Sequence, residues 1–408
     1  MQLALPFRKH RGIWKMDYAK ESLKMHYEWH GKIEMISRVP VNTREDLSLA
    51  YTPGVAEPCL VIHKNMDESY ALTRRSEIVA VVTDGTAVLG LGDIGPEAAM
   101  PVMEGKAVLF KELGGVDAIP LCIRSKDVDE IVNTVRLLSG SFGGVNLEDI
   151  SSPRCFEIER RLIECCDIPI FHDDQHGTAV VVLAAVINAL RLTGKNITEI
   201  SIIINGAGAA GIACAALLVN YGIKKIIVCD RNGALLGGME NINPEKKFIA
   251  GITNPENKIG SLEEIINGVD IFIGLSSAGC LTEAMVKNMN NNPVIFPMAN
   301  PVPEIMPDLA KKAGAFMIGT GRSDFPNQIN NALAFPGIFR GALNAKASVI
   351  NQEMKIAAAN AIADFIPNSE LNADFFMPSP LDRNLALSVA GAVENAAKES
   401  GVSRLSLS

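Results

Sequence analysis

Two pairs of adjacent carboxylates, Glu148–Asp149 and Asp173–Asp174, close the runs GGVNLED and IPIFHDD. Both runs read as strands. Four acids at the carboxyl ends of two strands of one sheet repel one another unless something positive lies between them. A hard cation with oxygen ligands is the simplest such partner, and Mg²⁺ or Mn²⁺ suits carboxylates plus substrate oxygens. The competing reading is that these acids cap the helices that follow, with Asp173 or Asp174 capping one that begins near Gly177.

A lysine and a tyrosine complete the candidate chemistry. In the segment from Glu97 to Leu113, the apolar stripe at helical spacing runs Ala99, Val102/Met103, Leu109/Phe110, Leu113, and Lys106 falls in its middle. A lysine there costs stability unless it has a partner or a task. Burial lowers a lysine's pKa and makes it a usable general base, whereas a structural lysine would snorkel to the surface. Tyr51 stands in the turn-rich AYTPGVAEP, after a short helix starting near Thr43. Its ring can simply pack, or its hydroxyl can protonate a carbanion or enolate.

Gly206, Gly208 and Gly211 form G-x-G-x-x-G, with Ala207, Ala209 and Ala210 between them, directly after the Ile-rich run EISIIIN. Glycines at these places permit a tight turn and close approach to a pyrophosphate held at a helix N-terminus. Alone the motif is weak. Here Asp230 ends the next strand 19 residues after Gly211 (230 − 211), where an acid accepts hydrogen bonds from an adenine ribose. That acid repels the 2′-phosphate of NADP, so NAD is the expected cofactor, with NADP usable if the adjacent Arg231 turns toward the phosphate.

The elements that must position these groups alternate. Strands at SEIVAVVTDG, DAIPLCI, GGVNLED and IPIFHDD are separated by helices at 96–113, 127–140 and 153–166. Such β-α-β-α order implies a mainly parallel sheet with ligands at the carboxyl ends of its strands. GTAVVVLAAVINALRLTGK is apolar nearly all round and reads as a buried helix joining two domains. A second α/β unit then opens at Glu199, with later strands at VDIFIGLSS, NPVIFPMANP and AFMIGTG and a helical stretch from Ser348 to Phe365. The fold class is therefore α/β in two domains: an N-terminal substrate and metal domain over 17–175 and a Rossmann-type dinucleotide domain over 176–392. Residues 393–408 read as a C-terminal tail.

The chain has 408 residues and a net charge of −8, which argues against nucleic acid and for small-molecule ligands. Its 8 cysteines include no C-x-x-C pair, and several lie in apolar runs, as expected of a reduced, cytoplasmic protein. The longest apolar stretch, Ala179 to Ile187, reads as too short to span a bilayer, so no membrane partner is expected. Residues 1–16 are basic without an acid, which fits a frayed extension or a transit segment.

LSLAYTPGVAEPC, TDGTAVLGLGDIG, MEGKAVLF, NLEDIS, FHDDQHGTA, NGAGAAG and QINNALAFPGIFRGAL together resemble the malic enzyme family, in its shorter bacterial type without a phosphotransacetylase-like extension. The resemblance spans roughly Lys32 to Ala392. It implies oxidative decarboxylation of (S)-malate to pyruvate and CO₂ with reduction of NAD(P), by a homodimer. It further implies Tyr51 as general acid, Lys106 as general base with Asp173 beside it, and Glu148, Asp149 and Asp174 as metal ligands. Asn300 in MANP and Asn331 in INN match amides that contact cofactor or substrate. One departure stands out: longer members carry a carboxylate-gripping arginine where DGTAVLGLGD places Ala87. Two other readings stay open, a 2-hydroxyacid dehydrogenase that does not decarboxylate and a non-catalytic nucleotide-sensing module.

Overall fold

The computed structural model describes residues 17–88 and 90–405. The basic segment 1–16 lies outside them. The described chain opens with short helices α1 (Tyr18–Trp29), α2 (Arg44–Ala50), α3 (Ala56–Lys64) and α4 (Ser69–Leu72). Thr43 caps α2 through a reciprocal capping box with Asp46.

Four parallel strands follow: β1 (Ile78–Thr83), β2 (Asp117–Cys122), β3 (Gly144–Leu147) and β4 (Ile170–His172), in sheet order β2-β1-β3-β4. Their crossovers are α5 (Pro96–Gly114), α6 (Val128–Leu138) and α7 (Arg154–Cys165). Pro96 starts α5 and Gly115, at φ +64°, stops it. All four strands point the same way, so the Glu148–Asp149 and Asp173–Asp174 pairs emerge at one edge.

The joining helix α8 (Thr178–Thr193) is buried along most of its length. It is preceded by a wide π-helical turn, Asp173–Gly177, and the two form one 21-residue helical stretch. That corrects the reading from length: the stretch is long and apolar enough to cross a membrane, and what it does here is fill the core. Val180, Val181 and Leu183 pack in one cluster with Val79 and Val81 of β1 and with Ile202 and Ile204 of the next sheet.

The second unit holds β5 (Ser201–Asn205), β6 (Lys225–Asp230), β7 (Gly233–Ala234), β8 (Ile271–Gly274), β9 (Val294–Pro297) and β10 (Met317–Ile318). Their order is β10-β9-β8-β5-β6-β7, parallel except for β7. Helices α9 (Ala209–Asn220), α10 (Pro244–Ile252), α11 (Leu262–Ile265), α12 (Glu283–Lys287) and α13 (Pro307–Lys312) connect them. The chain then runs through α14 (Phe335–Asn344), α15 (Gln352–Asp364) and α16 (Arg383–Glu399). Helix α16 passes the boundary drawn at 392 and buries Val393, Ala396 and Ala397, so residues 393–399 continue a packed helix. Phe335 and Phe339 of α14 meet Phe110 of α5 edge-on, which pins this C-terminal layer against the first sheet.

Candidate active site

Lys106 points into the protein and does not snorkel. Its Nζ lies 2.5 Å from Asp173 Oδ2 and 2.9 Å from Glu148 Oε1, above the Phe335 ring at 4.2 Å. Asn331, from the loop before α14, donates to the same Asp173 oxygen. The structure therefore gathers Lys106, Glu148, Asp173 and Asn331 from four separate parts of the chain.

The charge balance differs from the expectation. Burial does act to lower the Lys106 pKa, but Asp173 and Glu148 outweigh it and hold the ammonium charged. Burial instead acts on the acids. It pushes the Asp173 carboxyl up to about 6 against the pull of Lys106, and Glu148 up to about 7.

Beside this cluster, oxygens of Glu148, Asp149 and Asp174 lie within 4.8 Å of one another. Glu148 Oε2 accepts from Asn146 Nδ2 at 2.8 Å, and the Asp149 N–H donates to Asp174 Oδ2 at 2.8 Å. Asp149 takes a left-handed backbone, φ +53°, which turns the chain at the strand end. An all-carboxylate donor set, fixed by neighbours and lined on one side by Lys106, fits a hard divalent cation. Neither Asp173 nor Asp174 caps a helix by its side chain. They start the π turn, whose closing Thr178 N–H donates to the Asp173 carbonyl. Gly177 is required here, because a Cβ on it would sit 1.9 Å from Asp173 Oδ1.

The dinucleotide turn forms as expected, between β5 and α9. Gly211 allows the closest approach: a Cβ there would meet the Gly206 carbonyl at 1.7 Å. Gly208, by contrast, faces open space and leaves the N-terminus of α9 accessible. Asp230 ends β6, and both its oxygens are engaged. Oδ2 pairs with Lys246 of α10 at 2.6 Å, and Oδ1 accepts the Asn232 N–H at 2.9 Å. Burial opposes ionisation of Asp230, yet Lys246 and Asn232 hold its carboxyl below the usual range. Lys246 is the residue that sequence reasoning missed, and its helix was not anticipated either.

Asn300 lies exposed in the loop after β9, where its carbonyl approaches Gly90 of the first unit. Ala87 is also exposed, and its N–H donates to the Asp149 carbonyl at 2.9 Å, so the position borders the carboxylates. The guanidinium near that turn, Arg154, is committed to Asp84 at 2.8 Å. Tyr51 stands apart. It ends α2 with 68% of its surface exposed, and its hydroxyl bonds to none of the described residues.

Two family profiles cover most of the chain: malic enzyme, N-terminal domain, over residues 30–163, and malic enzyme, NAD binding domain, over 175–398. The chain belongs to the malic enzyme family. It is 56% identical over 393 residues to the bifunctional malic/malolactic enzyme of Bacillus subtilis, covering 96% of each chain. It is 52% identical to the NAD-dependent malic enzyme of Geobacillus stearothermophilus, over 97% of this chain and 82% of that one. Among solved structures, the NAD-dependent malic enzyme of Thermotoga maritima superposes with a TM-score of 0.88 at 47% identity, covering 91% of this chain and 98% of that one. The Entamoeba histolytica malic enzyme superposes with a TM-score of 0.92 at 40% identity, covering 96% and 83%. Membership makes the α/β, two-domain architecture that of malic enzymes, and the chain an enzyme.

Proposed function

We propose that this chain oxidises and decarboxylates (S)-malate to pyruvate and CO₂ in a divalent-metal-dependent reaction, with NAD preferred over NADP. The observation that carries this reading is the buried Lys106 between Asp173 and Glu148, beside the converging oxygens of Glu148, Asp149 and Asp174. A 2-hydroxyacid dehydrogenase that does not decarboxylate needs the base but not three converging carboxylates.

Lys106 takes the proton of the C2 hydroxyl as hydride leaves for the nicotinamide. To do so it first gives up a proton, and Asp173, 2.5 Å away, is the nearest acceptor. Glu148, Asp149 and Asp174 hold Mg²⁺ or Mn²⁺, which when bound supplies Lewis acidity at the substrate oxygens for oxidation and CO₂ loss. Asn331 keeps Asp173 oriented, and Asn300 contacts cofactor or substrate from the dinucleotide side. The glycine turn, with Ala207, Ala209 and Ala210, binds the pyrophosphate.

Tyr51 protonates C3. Tyr18, Tyr27, Met35, Ile36 and Leu49, in the same N-terminal stretch of sequence, are also exposed. Large apolar side chains exposed this densely along the chain suit an interaction face. A homodimer that covers this stretch is the assembly in which Tyr51 acts, with the oligomeric mass in solution as its check.

The test of the activity is product analysis. Malate, NAD and Mn²⁺ should yield pyruvate, CO₂ and NADH in equal amounts, and EDTA should stop all three. NADH formed with oxaloacetate and no CO₂ would favour the plain dehydrogenase, and no turnover at all the sensing module.

A further inference from the structure

The π turn Asp173–Gly177 carries both the partner of Lys106 and one of the carboxylates read as a metal ligand. A π turn is a rare geometry, and its neighbours must impose it. Below it lies a buried charged group that the proposed chemistry does not use.

Glu159 sits on α7 with 6% of its surface exposed. Its Oε1 accepts the backbone N–H of His172 at 2.8 Å, immediately before the turn. Its Oε2 lies 3.0 Å from His176 Nε2, inside the turn. One carboxylate thus clips both ends of the segment that bears Asp173 and Asp174. The far side of the His176 ring meets Lys355 of α15, whose Nζ lies 3.1 Å from His176 Nδ1 and which is itself 7% exposed. An ammonium has only hydrogens to give, so Lys355 donates to Nδ1, and the Nε2–H then donates to Glu159. The chain of contacts fixes both the tautomer and the orientation of the ring.

We propose that Glu159, His176 and Lys355 are positioning residues that hold the Asp173–Gly177 turn in its cation-binding shape and tie that shape to the docking of α15. None of the three belongs to the proposed donor set. They act through the turn, as partners behind a metal site orient the residues that do the binding. Because Lys355 comes from the C-terminal layer, the cation site and that layer share one buried contact. The electrostatics agree: burial would raise the Glu159 carboxyl, but the hydrogen bond from His176 and the charge of Lys355 hold it below the usual carboxylate range. Burial in turn lowers Lys355 to about 8, with Glu159 opposing.

The proposal rests on the cation reading above, and the experiment separates the two. Mn²⁺ alone is titrated into metal-free protein by electron paramagnetic resonance, without malate or nucleotide, and NADH binding is followed by fluorescence. Glu159→Gln keeps the shape and an acceptor for the His172 N–H but removes the charge. It should weaken Mn²⁺ about 10–100-fold, with NADH binding unchanged. Lys355→Met should weaken Mn²⁺ in the same direction and decides the matter if Glu159→Gln does not fold. In the double variant the two losses should be less than additive, because both act through His176. A lower melting temperature with unchanged Mn²⁺ affinity, in variants still folded at the assay temperature, would overturn the positioning role. A wild type that binds no Mn²⁺ would overturn the cation reading and this proposal with it.

Discussion

Lys106 Nζ and Asp173 Oδ2 lie 2.5 Å apart across 67 residues of sequence, one from the middle of α5 and the other from the turn after β4. Removing the lysine therefore removes a charge partner as well as a base. Lys106→Ala should cost about 10²–10⁴-fold in turnover. The metal-free protein should also melt earlier, since breaking a buried ion pair costs about 3–5 kcal/mol. Added Mn²⁺ should return much of that stability, because a cation again faces the carboxylates. A variant keeping more than about a tenth of wild-type turnover would exclude the base role.

Tyr51→Phe should behave differently. The side chain is exposed and its hydroxyl bonds to none of the described residues, so the melting temperature should not move. Pyruvate formation should fall, while partial reactions that need no proton at C3 should survive. Equal pyruvate rates in variant and wild type would end the assignment.

The pH dependence follows from the raised acids. Asp173 and Glu148 have folded values of about 6 and about 7, above their ordinary ones. Their contribution to metal-free stability is thus fully present below the ordinary carboxylate range and lost as pH rises through about 6 to 7. Cation binding needs the ionised form, so Mn²⁺ affinity should rise over the same window. The gap in melting temperature with and without Mn²⁺ should widen from pH 5 to about pH 8. A gap independent of pH would show that these carboxylates do not face the ion.

Cofactor choice involves Lys246 as well as Asp230. Asp230 is paired with Lys246, so the acid does not face the ribose as a lone charge. NAD should still be preferred, because a 2′-phosphate must displace that pairing. Asp230→Ala should raise kcat/KM for NADP relative to NAD, and Lys246→Ala should depress NADP further. A wild type favouring NADP, with Lys246→Ala without effect and Arg231→Ala selective, would assign the choice to the arginine.

Much of this architecture was legible in the chain. Apolar runs closed by turns placed the strands from β1 to β6 and β8 to β10, and the glycine spacing placed the dinucleotide turn. The break in an apolar stripe at Lys106 marked a buried lysine. What the sequence hid was tertiary pairing. Glu159 and Lys355 look like ordinary charges on helix surfaces, and Lys355 meets His176 from 179 residues away. The same holds for Lys246, whose helix announces no function until it folds against Asp230. Helices α14 and α16 escaped notice because their burial comes from packing on α5 and on each other. The π turn has no sequence rule of its own. It is imposed by the groups around it.

Decarboxylation beside Lys106 should depend on a cation held by Glu148, Asp149 and Asp174. The most direct measurement is pyruvate and CO₂ release against Mn²⁺ concentration, in EDTA-treated wild type and in Asp174→Asn. No product should form in EDTA, Mn²⁺ should restore the wild type, and the variant should recover only at about 10–100-fold higher Mn²⁺. Full turnover in EDTA, or superimposable Mn²⁺ curves for the two proteins, would contradict it.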